Sequence, residues 1–332
     1  MHWLVTGGAG FCGRAIVSGL LQAGERVRVF DIAPCSIAGA QAVQGDVRDF
    51  AAVHRAMADT RWVIHAAAAV PLARNRQLFA SVNVEGTRNV LRAAADHAVA
   101  KVVVVSSSAV YGAPAELPVT MTSEAQPLEA YGRSKLAADQ LAHLYADAGL
   151  PVAVVRPRTV LGPGRLGLFS LLFDWVRRGR PVVVVGDGAA VYQFVHADDL
   201  ARLCVAAAHC PHAGPFLAGS ARPIALRSLL RGLCDHAGTG SRLLHLPDFG
   251  VRTALRMAAA LPLGVVAPYH ARLYGRPLSF DITQTCAQLV WQPVHSDGEA
   301  LRQSYDWFVQ HGSDHGDSVH TRPLASGWLG FW

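Results

Sequence analysis

Lysine is nearly absent from this sequence, since only two of its 30 Lys and Arg residues are lysines, Lys101 and Lys135. Charged residues of all types make up 16% of the 332 residues, whereas hydrophobic residues make up 51%. An intrinsically disordered chain needs the opposite balance, so the composition excludes one and predicts a large core. The arginines are scattered rather than clustered, so the formal net charge of +6 does not indicate a nucleic-acid partner.

Metal-binding and membrane-spanning patterns are also missing. The six cysteines show no CxxC pair and no zinc-ligand spacing, which favours reduced thiols in a cytoplasmic protein without a metal. No apolar run reaches the length of a bilayer span, and a strand-like segment follows Met1 directly, which leaves no room for a signal peptide. Residues 312–332 form a tail that ends in aromatic side chains. The tail could touch a membrane surface, but packing on the protein or on a partner subunit is favoured.

Strand-like and helix-like segments alternate through the first half of the chain. The strand-like segments are rich in valine, as in Lys101–Ser106, and such runs are typical of strands buried on both faces of a parallel sheet. The helical candidates between them are Phe11–Ala23, Val82–Ala98 and Tyr131–Ala148. This alternation predicts an α/β fold with a Rossmann-like doubly wound parallel sheet. After Arg156 the sequence becomes rich in glycine and proline, which predicts a smaller C-terminal lobe.

A glycine-rich segment, Thr6-Gly-Gly-Ala-Gly-Phe-Cys-Gly13, joins the first predicted strand to the first predicted helix. Gly7, Gly10 and Gly13 allow a tight turn, close approach of the backbone to a pyrophosphate, and close packing of the helix on the strand. The helix N-terminus offers N–H groups and the positive end of its dipole to the phosphates. The strand–glycine–helix context therefore predicts a dinucleotide site.

The second predicted strand ends at Asp31, where a carboxylate can accept hydrogen bonds from the hydroxyls of the adenosine ribose. The same charge would repel a 2′-phosphate, and neither Ile32 nor Ala33 supplies a compensating cation. The sequence therefore favours NAD over NADP. Asp46 and Val47 follow a short connection, at a place where a carboxylate could meet the adenine amino group.

Tyr131 and Lys135 lie four residues apart in a predicted helix, and therefore on one face of it. An ammonium near a phenol stabilises the phenolate and lowers the pKa of the phenol, which suits a general acid and base. Upstream, a buried strand opens into Ser106, Ser107 and Ser108, where a serine hydroxyl can hold a substrate oxygen against the tyrosine. A Tyr and a Lys often occur at this spacing by chance. Such a coincidence is much less expected here, because the chain has only two lysines.

These motifs together resemble the extended short-chain dehydrogenase/reductase family, the NAD-dependent epimerase/dehydratase group. The resemblance covers most of the chain, through TGGAGFCG at 6–13, HAAA at 65–68, VNVEGT at 82–87, SSSAVYG at 106–112, YGRSK at 131–135, RP at 156–157, GDG at 186–188 and FVHADDL at 194–200. It implies that Tyr131 is the general acid and base, that Lys135 also holds the nicotinamide ribose, and that Ser107 is the catalytic serine, with Ser108 as the alternative. The residues expected at NAD are Gly7, Gly10, Phe11, Cys12, Gly13, Asp31, Asp46, Val47, Ala66, Ala67, Ala68, Asn83, Ser106, Tyr131, Lys135 and Pro157.

The residues after the serine narrow the expected reaction. Sugar-nucleotide dehydratases of the family carry an Asp-Glu pair where this chain has Ser108 and Ala109, and its sugar-acid decarboxylases place a Glu at the position of Ala109. The resemblance thus argues against elimination and decarboxylation. Hydride transfer at a secondary alcohol remains, by an epimerase or by a net dehydrogenase or reductase.

A nucleotide sugar is the leading hypothesis for the substrate, because of the layout of the serine segment, the Tyr131 and Lys135 pair and the GDG segment at 186–188. Arg158, Arg165 or Arg276 could bind its phosphates bidentately. The alternative is a lipid-like or small keto-alcohol, as in the 3β-hydroxysteroid dehydrogenase branch. It is favoured by Tyr192, which replaces a diphosphate-binding arginine of the sugar-nucleotide epimerases, and by the apolar stretch Leu261–Tyr269. The residues that could contact the substrate are Ser108, Arg158, Arg165, Tyr192 and Arg276.

Three regions are expected along the chain: an NAD-binding Rossmann domain over 1–156, a substrate-binding lobe over 157–311 with segments that return to the sheet, and the tail over 312–332. The resemblance also implies a homodimer, formed through two long helices in each subunit. A non-enzymatic alternative is a redox sensor that binds NAD, against which the intact pair of Tyr131 and Lys135 argues.

Overall fold

A parallel sheet forms the centre of the computed structural model, which describes residues 2–70, 77–247 and 277–312. The strands are β1 (His2–Thr6), β2 (Val27–Asp31), β3 (Gln41–Gln44), β4 (Thr60–His65), β5 (Lys101–Val105), β6 (Val152–Pro157), β7 (Thr159–Leu161), β8 (Val182–Val185), β9 (Val191–Tyr192), β10 (Phe194–His196), β11 (Phe216–Ala218), β12 (Ile224–Ala225) and β13 (Leu243–Leu246). The 7-stranded central sheet has the order β11-β6-β5-β4-β1-β2-β3, and all its pairs are parallel. The order reverses between β1 and β4, as in doubly wound folds, so the predicted fold class is confirmed.

Helices connect the strands and cover the sheet. They are α1 (Phe11–Gln22), α2 (Phe50–Ala56), α3 (Gly86–Asp96), α4 (Ala130–Asp147), α5 (Leu168–Arg177), α6 (Ala197–His209), α7 (Leu226–Ala237), α8 (Thr283–Leu289) and α9 (Asp297–His311). A π-helical segment, Phe79–Glu85, runs directly into α3, and a short 3-10 turn, Ser108–Tyr111, follows β5. No helix among the described residues is both long and apolar enough to cross a membrane.

Both faces of the central sheet are buried. Trp3 and Val5 of β1 pack on one face with residues of α1 and α6, such as Leu20 and Leu200. Leu4, between them in the strand, packs on the other face in a cluster that includes residues of α2, α3 and α4. This double burial explains why the central strands read as nearly continuous apolar runs.

Residues beyond 157 contribute to the sheet as well as to a second core. β11 pairs in parallel with β6 at the sheet edge, and α6 packs on α1. The second core lies among α5, α7 and α9 and contains Phe173, Leu229 and Phe308. Arg276, the apolar stretch Leu261–Tyr269 and the tail from 313 onwards lie outside the described residues.

Candidate active site

The cofactor candidates collect at one edge of the central sheet. Because all seven strands are parallel, their C-terminal ends meet there, and ligands of doubly wound folds bind outside these ends. The candidates that end or follow a strand at this edge are Gly7, Asp31, Asp46, Val47, Ala66, Ala67, Ala68, Ser106 and Pro157. The structure therefore brings together groups that the sequence spreads over 150 positions.

Gly7 and Gly13 allow α1 to begin directly against β1. Gly7 has a φ of +73°, and a Cβ there would lie 2.5 Å from the backbone N of Ala67. A Cβ on Gly13 would lie 2.0 Å from the carbonyl O of Gly7. Gly10 caps α1 without a side chain, so the cap residue offers no acceptor to the first-turn N–H groups. The loop thus presents backbone donors and the positive end of a helix dipole at a place shaped for a pyrophosphate.

The carboxylate of Asp31 is tied to the glycine loop. Its Oδ2 accepts a hydrogen bond from Ala9 N, and its Oδ1 accepts one from Ala33 N, each at 2.9 Å. These bonds hold the negative charge at the end of β2, where ribose hydroxyls are expected. Asp46 instead accepts from Arg48 Nε at 2.9 Å, and this hydrogen bond lowers the pKa of its carboxyl group. Contact between Asp46 and adenine stays a prediction.

Asn83 bridges the cofactor edge and α4. Its Oδ1 accepts from Ala69 N at 2.7 Å, and its Nδ2 donates to Ala69 O at 3.1 Å and to Ser134 Oγ at 2.9 Å. The sequence predicted one α-helix over Val82–Ala98, but the structure has a π-helical turn around Asn83 and ends α3 at Asp96. π-helical turns are rare and frequent at functional sites, and periodicity alone does not reveal them.

Tyr131 lies in the first turn of α4. Glu129 caps this helix, because its carboxylate oxygens accept hydrogen bonds from the N–H groups of Tyr131 and Gly132, each at 3.0 Å. The half-buried ring of Tyr131 meets the ring of Phe79 edge-on, with 5.9 Å between the centroids. The cap and this ring contact fix the direction in which the phenol leaves the helix. Neither Glu129 nor Phe79 was among the residues predicted from the sequence.

Lys135 lies one helical turn after Tyr131 and is buried. Its Nζ donates to the carbonyl O of Val105, the last residue of β5, at 2.7 Å. Burial lowers the pKa of the ammonium to about 8, although Asp139 and Cys12 act in the opposite direction. The ammonium is thus anchored to the sheet at the point where the serine segment begins.

The serine segment starts directly after β5 and turns sharply. Ser107 caps the 3-10 turn, and its Oγ accepts from Ala109 N at 3.1 Å. Ser108 is buried, and its Oγ accepts from Arg158 Nη1 at 3.0 Å. The two candidate serines therefore differ, since Ser107 belongs to the turn itself while Ser108 is bound to the second half of the chain.

A buried ion pair supports the other end of the serine turn. Arg156 Nε donates to Asp139 Oδ2 on α4, and its Nη1 donates to the hydroxyl of Tyr111, both at 2.8 Å. Burial raises the pKa of Asp139, and the charge of Arg156 opposes this. The pair joins β6, α4 and the serine turn, and removing one partner of such a pair is strongly destabilising.

Arg165, in the connection between β7 and α5, reaches the cofactor loop. Its guanidinium lies 5.6 Å from the ring centroid of Phe11 and 5.8 Å from that of Phe169. Burial lowers the pKa of Arg165 to about 10, and Cys12 and Tyr131 act in the opposite direction. Arg165 thus lies beside the cofactor loop, close enough to Tyr131 for the two groups to interact electrostatically.

The remaining substrate candidates make different contacts. The ring of Tyr192 stacks on Phe194 at 6.4 Å between centroids, and Phe169 meets Phe194 edge-on at 6.1 Å. Arg158 directs its guanidinium to Ser108 and to the backbone of Gln193. The structure thus separates Arg158 and Arg165, which the sequence analysis treated as equivalent.

His65 also lies at the sheet edge that holds the cofactor candidates, and no contact of its side chain was predicted from the sequence. It ends β4 and lies within hydrogen-bond distance of Thr6 Oγ1, at 2.7 Å, and of Thr87 Oγ1, at 2.9 Å. Burial lowers the pKa of its imidazole to about 3, so the ring is neutral at physiological pH. His65 therefore connects the ends of β1 and β4 to α3. Its signals in the sequence are its position at a strand end and its place in the HAAA segment at 65–68.

Among the residues that the structure describes, one group of side chains could serve as metal ligands. His196, Asp198 and His295 bring potential ligand atoms within 4.8 Å of one another. However, His196 caps α6 by accepting from Asp198 N at 3.1 Å, and its other ring nitrogen lies 3.0 Å from Gln303 Oε1. The positive end of the α6 dipole also disfavours a cation. We interpret the group as a helix cap.

Comparison with known proteins assigns the class. The model of the NAD dependent epimerase/dehydratase family matches residues 3–216, so the chain belongs to this family, and NAD is its cofactor. The glycine loop and Asp31 fit that cofactor by the close approach and the hydrogen bonds described above.

Relatives extend over most of the chain. Protein y4nG of Sinorhizobium fredii is 39% identical, over 97% of this chain and 82% of that protein. The 3beta-hydroxysteroid-dehydrogenase/decarboxylase isoform 2 of Arabidopsis thaliana is 28% identical, over 92% of this chain and 61% of that protein. Among solved structures, MoeE5 in complex with UDP-glucuronic acid and NAD is 26% identical, with a TM-score of 0.75 over 93% of this chain and 99% of that one.

Proposed function

We propose that the protein is an NAD-dependent oxidoreductase or epimerase that transfers hydride at a secondary alcohol, with Tyr131 as general acid and base. The observation that carries this proposal is the anchored ammonium of Lys135, one helical turn from Tyr131 and bonded to the end of β5. A positive charge fixed in a buried site favours the phenolate form of a neighbouring tyrosine.

Each residue has a defined task in the proposed reaction. In the oxidising direction, the Tyr131 phenolate takes the proton of the substrate hydroxyl while the C–H electron pair leaves the same carbon as hydride. The glycine loop and Asp31 would hold NAD, which would supply the hydride acceptor. Ser107 donates a hydrogen bond to the substrate oxygen and so orients it, and Lys135 keeps its charge beside the tyrosine and the ribose.

A nucleotide sugar is the first substrate class that we propose. It is supported by the similarity to MoeE5, which binds UDP-glucuronic acid. Arg165 supports it too, because a guanidinium between two aromatic rings near Tyr131 can donate two parallel hydrogen bonds to an anionic group.

A lipid-like or small keto-alcohol is the second class. Arg158 uses its donors inside the protein, and Tyr192 belongs to an aromatic cluster with Phe194 and Phe169. An apolar substrate suits such a surface better than a diphosphate does. The similarity to a hydroxysteroid dehydrogenase points the same way.

Turnover separates these candidates. Purified protein with NAD or NADH would be incubated with UDP-sugars and with hydroxysteroids and keto-alcohols, following cofactor absorbance and, for redox-neutral epimerisation, product chromatography. We expect turnover in one panel and its loss, by at least about 100-fold, in the Tyr131→Phe variant, which lacks the proton-carrying hydroxyl. A Tyr131→Phe variant as active as the wild type would refute the role of Tyr131, and NAD binding without turnover in either panel would favour the redox sensor.

We also propose a homodimer through α3 and α4. Leu144 on α4 is 63% exposed, which an apolar interface would explain. Light scattering should give twice the monomer mass for the wild type, and Leu144→Asp should lower it. A monomeric wild type would rule the dimer out.

A further inference from the structure

A buried peptide group lies between two opposite charges behind the serine turn. The carbonyl of Gln193 accepts a hydrogen bond from Arg158 Nε at 3.2 Å. The N–H of the same peptide group, on Phe194, donates to Asp297 Oδ1 at 2.9 Å. The side chains of Arg158, Gln193 and Asp297 are all buried. The peptide group is therefore polarised by a cation at its oxygen and a carboxylate at its N–H, which strengthens both bonds.

A second guanidinium nitrogen of Arg158 reaches the serine turn. Nη1 donates to Ser108 Oγ at 3.0 Å, and the guanidinium lies over the ring of Phe280 at 5.6 Å. The planar fork spans two acceptors on different segments of the chain, Ser108 after β5 and Gln193 before β10. A lysine carries its donors on a single nitrogen and lacks the planar fork that spans these two acceptors.

The side chain of Gln193 immobilises this arrangement. Its Oε1 accepts from Phe280 N at 2.7 Å, and its Nε2 donates to Ser220 O at 2.8 Å. A Cβ on Gly219 would lie 2.6 Å from the Gln193 side chain, so the amide of Gln193 packs directly against Gly219. The acceptor that orients Arg158 is thus bound to two further segments.

We propose that Arg158 is a positioning residue for the proposed hydride transfer: through Ser108 it holds the serine turn in place, so that Ser107 meets the substrate oxygen at Tyr131. The inference rests on the proposed roles of Ser107 and Tyr131, and it replaces the sequence-based hypothesis that Arg158 binds the substrate. A phosphate bound through Nε and Nη1 would displace the Gln193 carbonyl and Ser108 and so strand buried polar groups. Asp297 acts as its counter-charge across one peptide group.

The first test needs no substrate. Hydrogen–deuterium exchange would follow the peptide that covers 106–112, whose amides close the serine turn, in Arg158→Lys, Arg158→Gln and Ser108→Ala. Loss of a hydrogen bond to a charged group should speed exchange there by about 10- to 100-fold in each variant, and leave the peptide that covers β4 unchanged. Arg177→Gln, which removes an exposed arginine paired with Asp174, should change neither peptide.

Unchanged exchange at 106–112 in Ser108→Ala and Arg158→Lys would overturn the proposal. Equal acceleration in every peptide would also overturn it, because that result means general destabilisation. If Arg158→Gln fails to fold, the other two variants still decide. This readout is independent of the proposed function, so absence of turnover in the substrate panels would leave it valid.

The second test uses the substrate that the panels identify. Ser108→Ala and Arg158→Lys should each lower kcat by about 10- to 100-fold with little change in KM for the substrate, and the double variant should be no slower than the slower single one. A rise in KM at constant kcat in Arg158→Lys would show that Arg158 binds substrate. Effects that multiply in the double variant would show that the two residues act separately.

Discussion

The substitution Gly13→Ala tests whether the glycine loop is a close-packed cradle for the cofactor. Its Cβ would lie 2.0 Å from Gly7 O and 2.6 Å from Gly8 Cα, both backbone atoms that no rotamer change can move. Gly7 has little room to move, because the backbone of Ala67 packs closely against it. The first turn of α1 must therefore shift away from β1 by roughly 1 Å to restore ordinary contact.

Two effects of Gly13→Ala follow from this shift. Overpacking of this kind typically costs about 1–3 kcal/mol of folding free energy. The shift also misplaces first-turn N–H groups, and each lost hydrogen bond to a charged phosphate costs about 1.5–3 kcal/mol, or about 10- to 100-fold in Kd for NAD. Because the clash exists without cofactor, the free protein should already have a lower Tm.

Calorimetry measures both quantities, as the Tm of the free protein and the Kd for NAD. Gly19→Ala is the matched control, because it makes the same change in α1 with Ala201 Cβ at 3.8 Å as its nearest contact. The control should keep the NAD affinity and raise the Tm slightly, since alanine suits a helix interior better than glycine. Wild-type Tm and affinity in Gly13→Ala would show that the helix is not held by this contact.

Three further predictions concern charge. Asp31→Ser removes the carboxylate that would repel a 2′-phosphate, so the ratio of the Kd values for NADP and NAD, measured by titration, should fall; an unchanged ratio would place the selectivity elsewhere. Because burial lowers the pKa of Lys135 to about 8, kcat should fall as pH rises through that value, and a flat rate to pH 10 would contradict the role of its charge. Burial raises the pKa of Asp297 to about 6, so the folded protein holds a proton that the unfolded chain releases between about pH 4 and 6. Stability should therefore fall by up to about 3 kcal/mol across that window, and urea unfolding of Asp297→Asn should lack this fall.

The nucleotide half of the site could be predicted because its signals are local. The segment from His2 to Gly13 contains the strand, the turn and the helix start in one run, and α1 begins at Phe11 as predicted. The position of Asp31 could be predicted in the same way, because it ends the next predicted strand. Strand periodicity and glycine spacing report contacts between near neighbours, and these fix the parallel sheet edge.

The substrate half could not be predicted, because its contacts join distant positions. Arg158 binds residues 50 positions earlier and 35 later, and Asp297 is a further 103 positions beyond its partner Phe194. Nothing in the run after Arg156 distinguishes an arginine that faces a ligand from one that faces Ser108. Burial decides this, and burial depends on how the residues after 157 pack on the rest of the chain.

The scarcity of lysine has a structural meaning that composition alone did not give. Both lysines are buried, and both donate from Nζ to backbone carbonyls: Lys135 to Val105 at 2.7 Å, and Lys101 to His212 at 3.2 Å. Burial lowers the pKa of each. Arg156 and Arg158, by contrast, are used where one planar group must bind two partners at once. A compact ammonium suits a narrow buried site beside backbone carbonyls better than the bulkier guanidinium does. One of the two lysines thus provides a compact charge one helical turn from the tyrosine.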